Sequence, residues 1–387
     1  MSCKKRVWVA ITARPSYSRI RAALEALQAR DDVELSVICS GSALLDRYGR
    51  VVDLIRADGF VVVDELYTFV EGDDLVNMAL TTAATINHTA AALRRGTPDI
   101  VVTIADRYET LGTAVAAAYL GIPLIHVQGG EITGNIDEKV RHAITKLADL
   151  HLVATDMAGR RVARMGEAPS AIHVTGCPSV DLARESDTVT TPDLQAVLDS
   201  LGTGAHVDLD RDFVVVMQHP ETDTHSDSFN QMSQVLEAVD ALSMPAILFW
   251  PNVDAGSDGT SKAIRVFRER AGGQVMRFIK NLEGRQFLAL LRRSCCLVGN
   301  SSVGIRESAF LGVPVVNIGD RQVGRERCAN VVDVACNVDA IGRAVQEQIG
   351  HGRYASSTLY GNGHAGQRIA ELIATAKPDT RKRFHDA

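Results

Sequence analysis

The chain has 387 residues, of which 46% are hydrophobic and 5% aromatic, enough for two domains that each bury a core. Its formal charge is -6 and its lysines and arginines are scattered, so it lacks the electrostatic footprint of a nucleic-acid binder. The seven cysteines include no CxxC pair and place Cys295 next to Cys296, which indicates buried reduced thiols and neither a disulfide framework nor a zinc site.

The N-terminal MSCKKRVWVAITA begins with basic residues, but its apolar run is too short for a signal segment or a membrane span. It reads as the first strand of a cytoplasmic protein. Further strands are expected over 33–40, 99–105, 122–128 and 150–155, with helix-length amphipathic stretches between them. After residue 185, SDTVTTPDLQ is polar and contains proline, the composition of a linker. A second cycle follows, with strands over 213–218, 246–251, 274–279, 295–300 and 313–319. This alternation is the sequence form of repeated βα units. It predicts an α/β chain of two Rossmann-like, doubly wound domains, 1–185 and 186–375, facing a central cleft, with a solvated polar tail over 376–387. Several double-Rossmann arrangements share that pattern.

Ligands of open α/β sheets bind outside the carboxyl ends of the strands, so polar residues just past those ends are the candidates. TARPSYSR follows the first strand with Arg14 and Ser18, while Arg19 reads as the start of a solvated helix face. Between 103 and 151, Asp106 and the run from Gln128 to Asp137 occupy strand ends, with Arg107 and Arg141 as partners for acids or phosphate. His142 lies in a helical stretch, where a structural histidine is as reasonable as a catalytic one. His219 follows the first strand of the second cycle beside a proline. WPNVDAGSDG places Asn252 at a strand end, and Asp254 and Asp258 lack the further ligands of a calcium loop. CCLVGNSSVGIRE runs from strand through a Gly-Asn turn into an expected helix. Ser301 and Ser302 at such a helix start suit a diphosphate, or one of them is an ordinary cap.

These motifs resemble the hydrolysing UDP-N-acetylglucosamine 2-epimerases of sialic-acid biosynthesis. The resemblance is carried by DRYE at 106–109, GGEITG at 129–134, IDEKVRHAITKL at 136–147, GNSS followed by GIRE, and NIGDRQVGRE at 317–326. It implies the glycosyltransferase-B fold, a UDP-sugar substrate, UDP as product, no cofactor or metal, and a homodimer or homotetramer. By resemblance Asp106, Asp137, Gln128 and Glu131 are the acid/base positions. Arg14 and Ser18 contact the nucleotide sugar, His219, Ser301, Ser302 and Arg321 surround the diphosphate with His219 also a catalytic candidate, and Asn252 points to the nucleotide. Glu307 holds the ribose hydroxyls. Two departures stand out: Gln128 replaces a carboxylate of the animal enzymes, and Ala105 replaces the usual glycine before Asp106. The implied reaction yields N-acetylmannosamine and UDP by elimination to a glycal and rehydration. A 2,4-diacetamido-trideoxy substrate, a non-hydrolysing epimerase, a glycosyltransferase and a silent binding module are the alternatives.

Overall fold

The computed structural model describes residues 4–72, 74–133, 136–221, 226–251, 256–270 and 274–386. The chain divides into two compact units, the first of 1–132, 136–181 and 360–387 and the second of 133–135 and 182–359.

In the first unit, β1 (Lys5–Ile11), β2 (Val33–Ser40), β3 (Val62–Leu66), β4 (Ile100–Ile104), β5 (Leu124–Val127), β6 (Leu150–Val153) and β7 (Ile172–Val174) form one sheet. Its order is β3-β2-β1-β4-β5-β6-β7 and every pairing is parallel. The intervening helices are α1 (Arg14–Gln28), α2 (Val51–Ala57), α3 (Leu75–Gly96), α4 (Tyr108–Tyr119), α5 (Ile136–Leu147), α6 (Asp156–Arg164) and α7 (Pro178–Glu185), with the unit boundary inside α7.

A parallel sheet is buried on both faces, and β1 is written accordingly. Val7, Val9 and Ile11 pack into one core with Ile20, Leu24 and Leu27 of α1, while Trp8 and Ala10 enter a second core with Leu93 and Ala117. The order reverses direction between β1 and β4, so the turns after these strands, carrying Arg14 and Asp106, flank the topological switch point.

The second unit repeats the plan. It contains α8 (Thr191–Ser200), β8 (Thr203–Gly204), β9 (Val214–Met217), α9 (Ser228–Ala241), β10 (Ala246–Phe249), α10 (Ser257–Glu269), β11 (Met276–Ile279), α11 (Gly284–Arg293), β12 (Cys296–Gly299), α12 (Glu307–Leu311), β13 (Val315–Ile318), β14 (Val331–Val334) and α13 (Val338–His351). The sheet order is β14-β13-β12-β9-β10-β11-β8, parallel except for β8. Its switch point lies between β9 and β12, whose turns carry His219 and Ser301.

The α/β class and the ten predicted strands are as expected, but three expectations need correction. SDTVTTPDLQ is no open linker: Thr190 caps α8, and Leu194 and Leu198, one turn apart, are fully buried. Residues 360–375 do not belong with the second unit. There α14 (Ala365–Thr375) buries Ile369, Ala370 and Ile373 in the core of the first unit beside α1. The tail is not simply solvated either, because Lys382 donates to Thr145 O and Ala148 O, and His385 N to Gly166 O. Among the described residues no helix is long and apolar enough to cross a membrane.

Candidate functional site

The first cluster is built where β4 and β5 end. Each strand leaves the sheet through a non-glycine residue in the left-handed region, Ala105 at φ 61° and Gln128 at φ 66°. Single left-handed residues turn the chain sharply but cost energy outside glycine, so the surroundings must hold them. Here Ala105 N donates to Val127 O and Gln128 N to Leu152 O, both at 2.9 Å, carrying the ladder one residue past each strand. The buried His126 ring adds a brace, with Nε2 2.9 Å from Ala105 O and Nδ1 3.1 Å from the Thr145 hydroxyl. A carbonyl only accepts, so Nε2 carries the proton and Nδ1 accepts from Thr145. Burial holds this imidazole neutral, its pKa lowered to about 3.

The turn after β4 presents Asp106 to two guanidiniums. Arg141, 1% exposed on α5, donates to the Asp106 carboxylate and, at 2.7 Å, to Glu131 O. Arg19 of α1 lies 4.0 Å from the other carboxylate oxygen, so it faces the cluster instead of solvent as expected from sequence. Asp137, in the first turn of α5, stands one helical turn before Arg141 and helps keep that guanidinium charged. Glu131 is buried. Asp106, Glu131, Asp137 and Arg141 are thus brought together. Arg107 is not among them: it forks onto the fully buried Glu109 at 3.1 and 3.2 Å. His142 reaches Glu138 at 3.5 Å along α5, and burial lowers its pKa.

Gln128 is 1% exposed; its amide nitrogen donates to Cys177 Sγ at 2.8 Å, and its amide oxygen has no hydrogen-bond partner among the described residues. An amide there can hold a group in place but cannot exchange a proton near neutral pH. The two glycines that follow are required by space. A methyl at Gly129 would lie 2.8 Å from the Thr145 hydroxyl oxygen and 3.0 Å from His126 Nδ1, and one at Gly130 2.3 Å from Ala158 O. Arg14, the first residue of α1, donates to Gly49 O at 3.1 Å, and Ser18 is half-buried in the next turn.

The second cluster sits at the switch point of the second sheet. Asn300 ties the end of β12 to the turn after β9, accepting from His219 N at 2.8 Å and donating to His219 O at 2.9 Å. Gly299, at φ 137°, leaves no room for a side chain, since a methyl would stand 2.2 Å from Met217 O. The Asn300 carbonyl in turn accepts from Gln322 at 2.8 Å and from Arg321 at 3.4 Å, docking the 317–326 loop on the same turn.

Ser301 and Ser302 follow, both half-buried, but they do not open a regular helix. Ser302–Gly304 is a 3-10 turn, and α12 starts only at Glu307 and lasts five residues. The expected helix with its dipole is therefore replaced by a tight turn, which the Ser301 side chain does not cap. Glu307 is buried with one carboxylate oxygen unpartnered among the described residues, beside the fully buried Arg306. A pocket of about 780 Å³ opens past the ends of β9 and β13, lined by Gln218, Glu221, Asp320, Arg325 and Arg327 among others. Asn252 and Asp254 lie outside the described residues.

A model of the family described as UDP-N-acetylglucosamine 2-epimerase matches residues 25–374. The chain belongs to that family. It is 32% identical over 96% of both chains to the UDP-N,N'-diacetylbacillosamine 2-epimerase (hydrolyzing) of Legionella pneumophila. It is 27% identical over 99% of both chains to the UDP-N-acetylglucosamine 2-epimerase of Neisseria meningitidis. The fold agrees with the Methanocaldococcus jannaschii UDP-GlcNAc 2-epimerase solved with UDP-GlcNAc and UDP, at TM-score 0.80 and 15% identity over 96% of this chain and 100% of that one. It also agrees with the Neisseria meningitidis enzyme bound to UDP-GlcNAc, at TM-score 0.77 and 16% identity over 95% and 99%.

Within this epimerase chain, reading the sequence alone missed Arg19, His126 and Asn300. Arg19 sits on α1 five residues after Arg14, well round the helix from it, so the spacing gave no signal for its place. Nothing local distinguishes the other two, because their partners are 19 and 81 residues away in sequence.

Proposed function

We propose that this chain is a hydrolysing 2-epimerase that converts UDP-N-acetylglucosamine and water to N-acetylmannosamine and UDP. The observation that carries the reading is the Asp106–Arg141–Glu131 cluster, with Asp137 one turn away, at the carboxyl end of a Rossmann-like sheet. It supplies several carboxylates and fixed cations where a sugar ring requires proton transfer.

The C2 hydrogen of the substrate is not acidified by an adjacent carbonyl, so inversion proceeds by elimination. Departure of UDP from C1 leaves an oxocarbenium-like centre, and loss of the C2 proton gives a glycal. Water then adds to C1 while a proton returns to C2 from the opposite face. Two proton-transfer groups are needed, one for each face. Asp106 and Asp137 are assigned these roles, with Glu131 as the neighbouring carboxylate and Gln128 holding the sugar through its amide. Ser301, Ser302, His219 and Arg321 receive the diphosphate, Asn252 faces the nucleotide, and fixed donors at the diphosphate stabilise the charge that develops on the leaving group. Arg14 and Ser18 contact the nucleotide sugar, and Glu307 the ribose.

A second substrate is favoured by the 32% identical Legionella pneumophila relative, which acts on UDP-N,N'-diacetylbacillosamine. The chemistry at C1 and C2 is the same for both sugars. Incubation with each UDP-sugar in D₂O and in ¹⁸O-water, followed by NMR and mass spectrometry, tests the proposal. The expected products are UDP and a free sugar inverted at C2, carrying one deuterium there and solvent oxygen at C1. Return of an epimerised UDP-sugar would assign non-hydrolysing chemistry instead, and a product retaining the C2 hydrogen would exclude elimination.

A further inference from the structure

The helix that carries Asp137 and Arg141 is held at its far end by a segment distant in sequence. Lys382 Nζ donates to Thr145 O, in the last turn of α5, at 3.1 Å and to Ala148 O, just past its end, at 2.5 Å. Carbonyls at a helix end lack a full set of intrahelical bonds, so a donor there helps satisfy them, and a cation also complements the helix dipole. The ammonium is fixed in turn by the buried Glu167 carboxylate at 2.7 Å, which also binds Lys146 of α5 at 2.6 Å and His151 at 2.9 Å. The neighbouring tail residues complete the attachment. His385 N donates to Gly166 O at 2.9 Å, and the Phe384 ring lies so close over Gly166 that a methyl there would stand 2.3 Å from it.

Thr145 is the residue where this anchor meets the cluster. Its carbonyl accepts from Lys382, its hydroxyl meets His126, and His126 holds Ala105 O one residue before Asp106. Arg141 is one helical turn before Thr145 on the same face and grips Asp106 itself. A shift or fraying of the last turn of α5 therefore moves both attachments of the Asp106 turn together.

We propose that Lys382 is a positioning residue: it pins the C-terminal end of α5 so that Arg141 and Asp137 keep their places about Asp106. The catalytic half of this inference rests on the epimerase reading above; the mechanical half does not.

The test uses the full chain with Lys382→Met, which keeps the length of the side chain and removes its donors. Lys382→Arg keeps the cation, Phe384→Ala is a milder loosening of the same segment, and Lys377→Met alters a tail lysine that makes none of these contacts. Hydrogen exchange of the 136–148 amides is expected to quicken by about tenfold or more in Lys382→Met while the strands of the first sheet keep their protection. UDP release from UDP-N-acetylglucosamine is expected to lose about fivefold or more in kcat with KM within about twofold, because misplacement harms chemistry more than binding. Lys382→Arg should recover most of both, Phe384→Ala should fall between, and Lys377→Met should match the parent protein. Unchanged exchange over 136–148 overturns the proposal, as does faster exchange spread over the whole unit. Faster local exchange with unaltered kcat overturns the positioning role. If the parent protein turns over neither UDP-sugar, the functional reading fails, and the exchange comparison still decides whether Lys382 pins α5.

Discussion

Acid should loosen the first unit through a group that never touches substrate. His126 is fully buried, and its imidazole has a pKa near 3 in place of the ordinary 6.5, chiefly because burial disfavours the charged form. The unfolded chain therefore binds a proton at pH values where the folded chain does not. The stability this site lends is complete above about pH 6.5 and declines as pH falls from there toward 3. Between pH 8 and pH 5 the unequal proton affinities remove about 2 kcal/mol, and the limiting loss below pH 3 is about 5 kcal/mol. Burial also lowers the His151 pKa, which adds loss of the same sign. Glu167 is held near 2 by His151, Lys146 and Lys382, against an ordinary 4.5, so its contribution fades only below pH 4.5 and leaves this window clear. The perturbation is His126→Gln, which retains an amide donor for Ala105 O and removes the titration. Urea unfolding at pH 8 and pH 5 should show the parent protein losing about 2 kcal/mol more than the variant. Since two units can unfold separately, the transition is followed by fluorescence of Trp8 in a Trp250→Phe background. ¹⁵N-histidine NMR of the folded protein should show a neutral Nε2–H tautomer at pH 5. Equal pH dependence in the two proteins, or a protonated His126 at pH 5, would refute the reasoning.

The remaining expectations concern the two clusters. Asp106→Asn should lower kcat by about 10²-fold or more, the usual scale for a general acid or base, with circular dichroism unchanged. Arg141→Met leaves Asp106 without its buried partner and should cost about 3–5 kcal/mol by denaturant unfolding, less when combined with Asp106→Asn. Ser302→Asp, which sets a negative charge in the turn after β12, should weaken UDP binding in calorimetry at least tenfold, about 1.4 kcal/mol, and unchanged affinity would remove the diphosphate assignment. Ala105→Gly should be close to neutral, within about 1 kcal/mol, because relief of a left-handed alanine is offset by greater unfolded-chain entropy and a lost buried methyl.

The strands that sequence reveals are those in the middle of the sheets. β1, β4, β9 and β12 are buried on both faces, so they appear as unbroken apolar runs. The edge strands β3 and β14, VVDEL and VVDV, are only partly buried and hold acids, which hides them among loops. Short β7 and the two-residue β8 carry too few residues to show a period. The linker reading failed for a related reason. Only Leu194 and Leu198 of α8 are fully buried, and two apolar residues one turn apart are easily outweighed by the polar residues around them. The return of α14 to the first unit was not legible at all, since an amphipathic helix does not say which core it covers.

The same limit separates the parts of the site that could be read from those that could not. Asp106, Gln128 and Glu131 stand at strand ends, and strand ends follow from local pattern. Arg141 and Asp137 share a helix face, which also follows from spacing. What the pattern lacks is the cause of the geometry. Ala105 and Gln128 hold left-handed turns that glycine would adopt more cheaply, and bonds to residues far along the chain maintain them: Leu152, Thr145 through His126, and Cys177. These partners lie on β6, on α5 and in the turn before α7, and each is individually an ordinary core residue. The Gly129–Gly130 pair is the exception that local sequence does reveal, because only glycine passes between the Thr145 hydroxyl and Ala158 O. The loop chemistry of this site is therefore a property of how β5, β6, α5 and α6 pack, and a substitution at Thr145 or Ala158 should be felt at Asp106 although neither residue carries a reactive group.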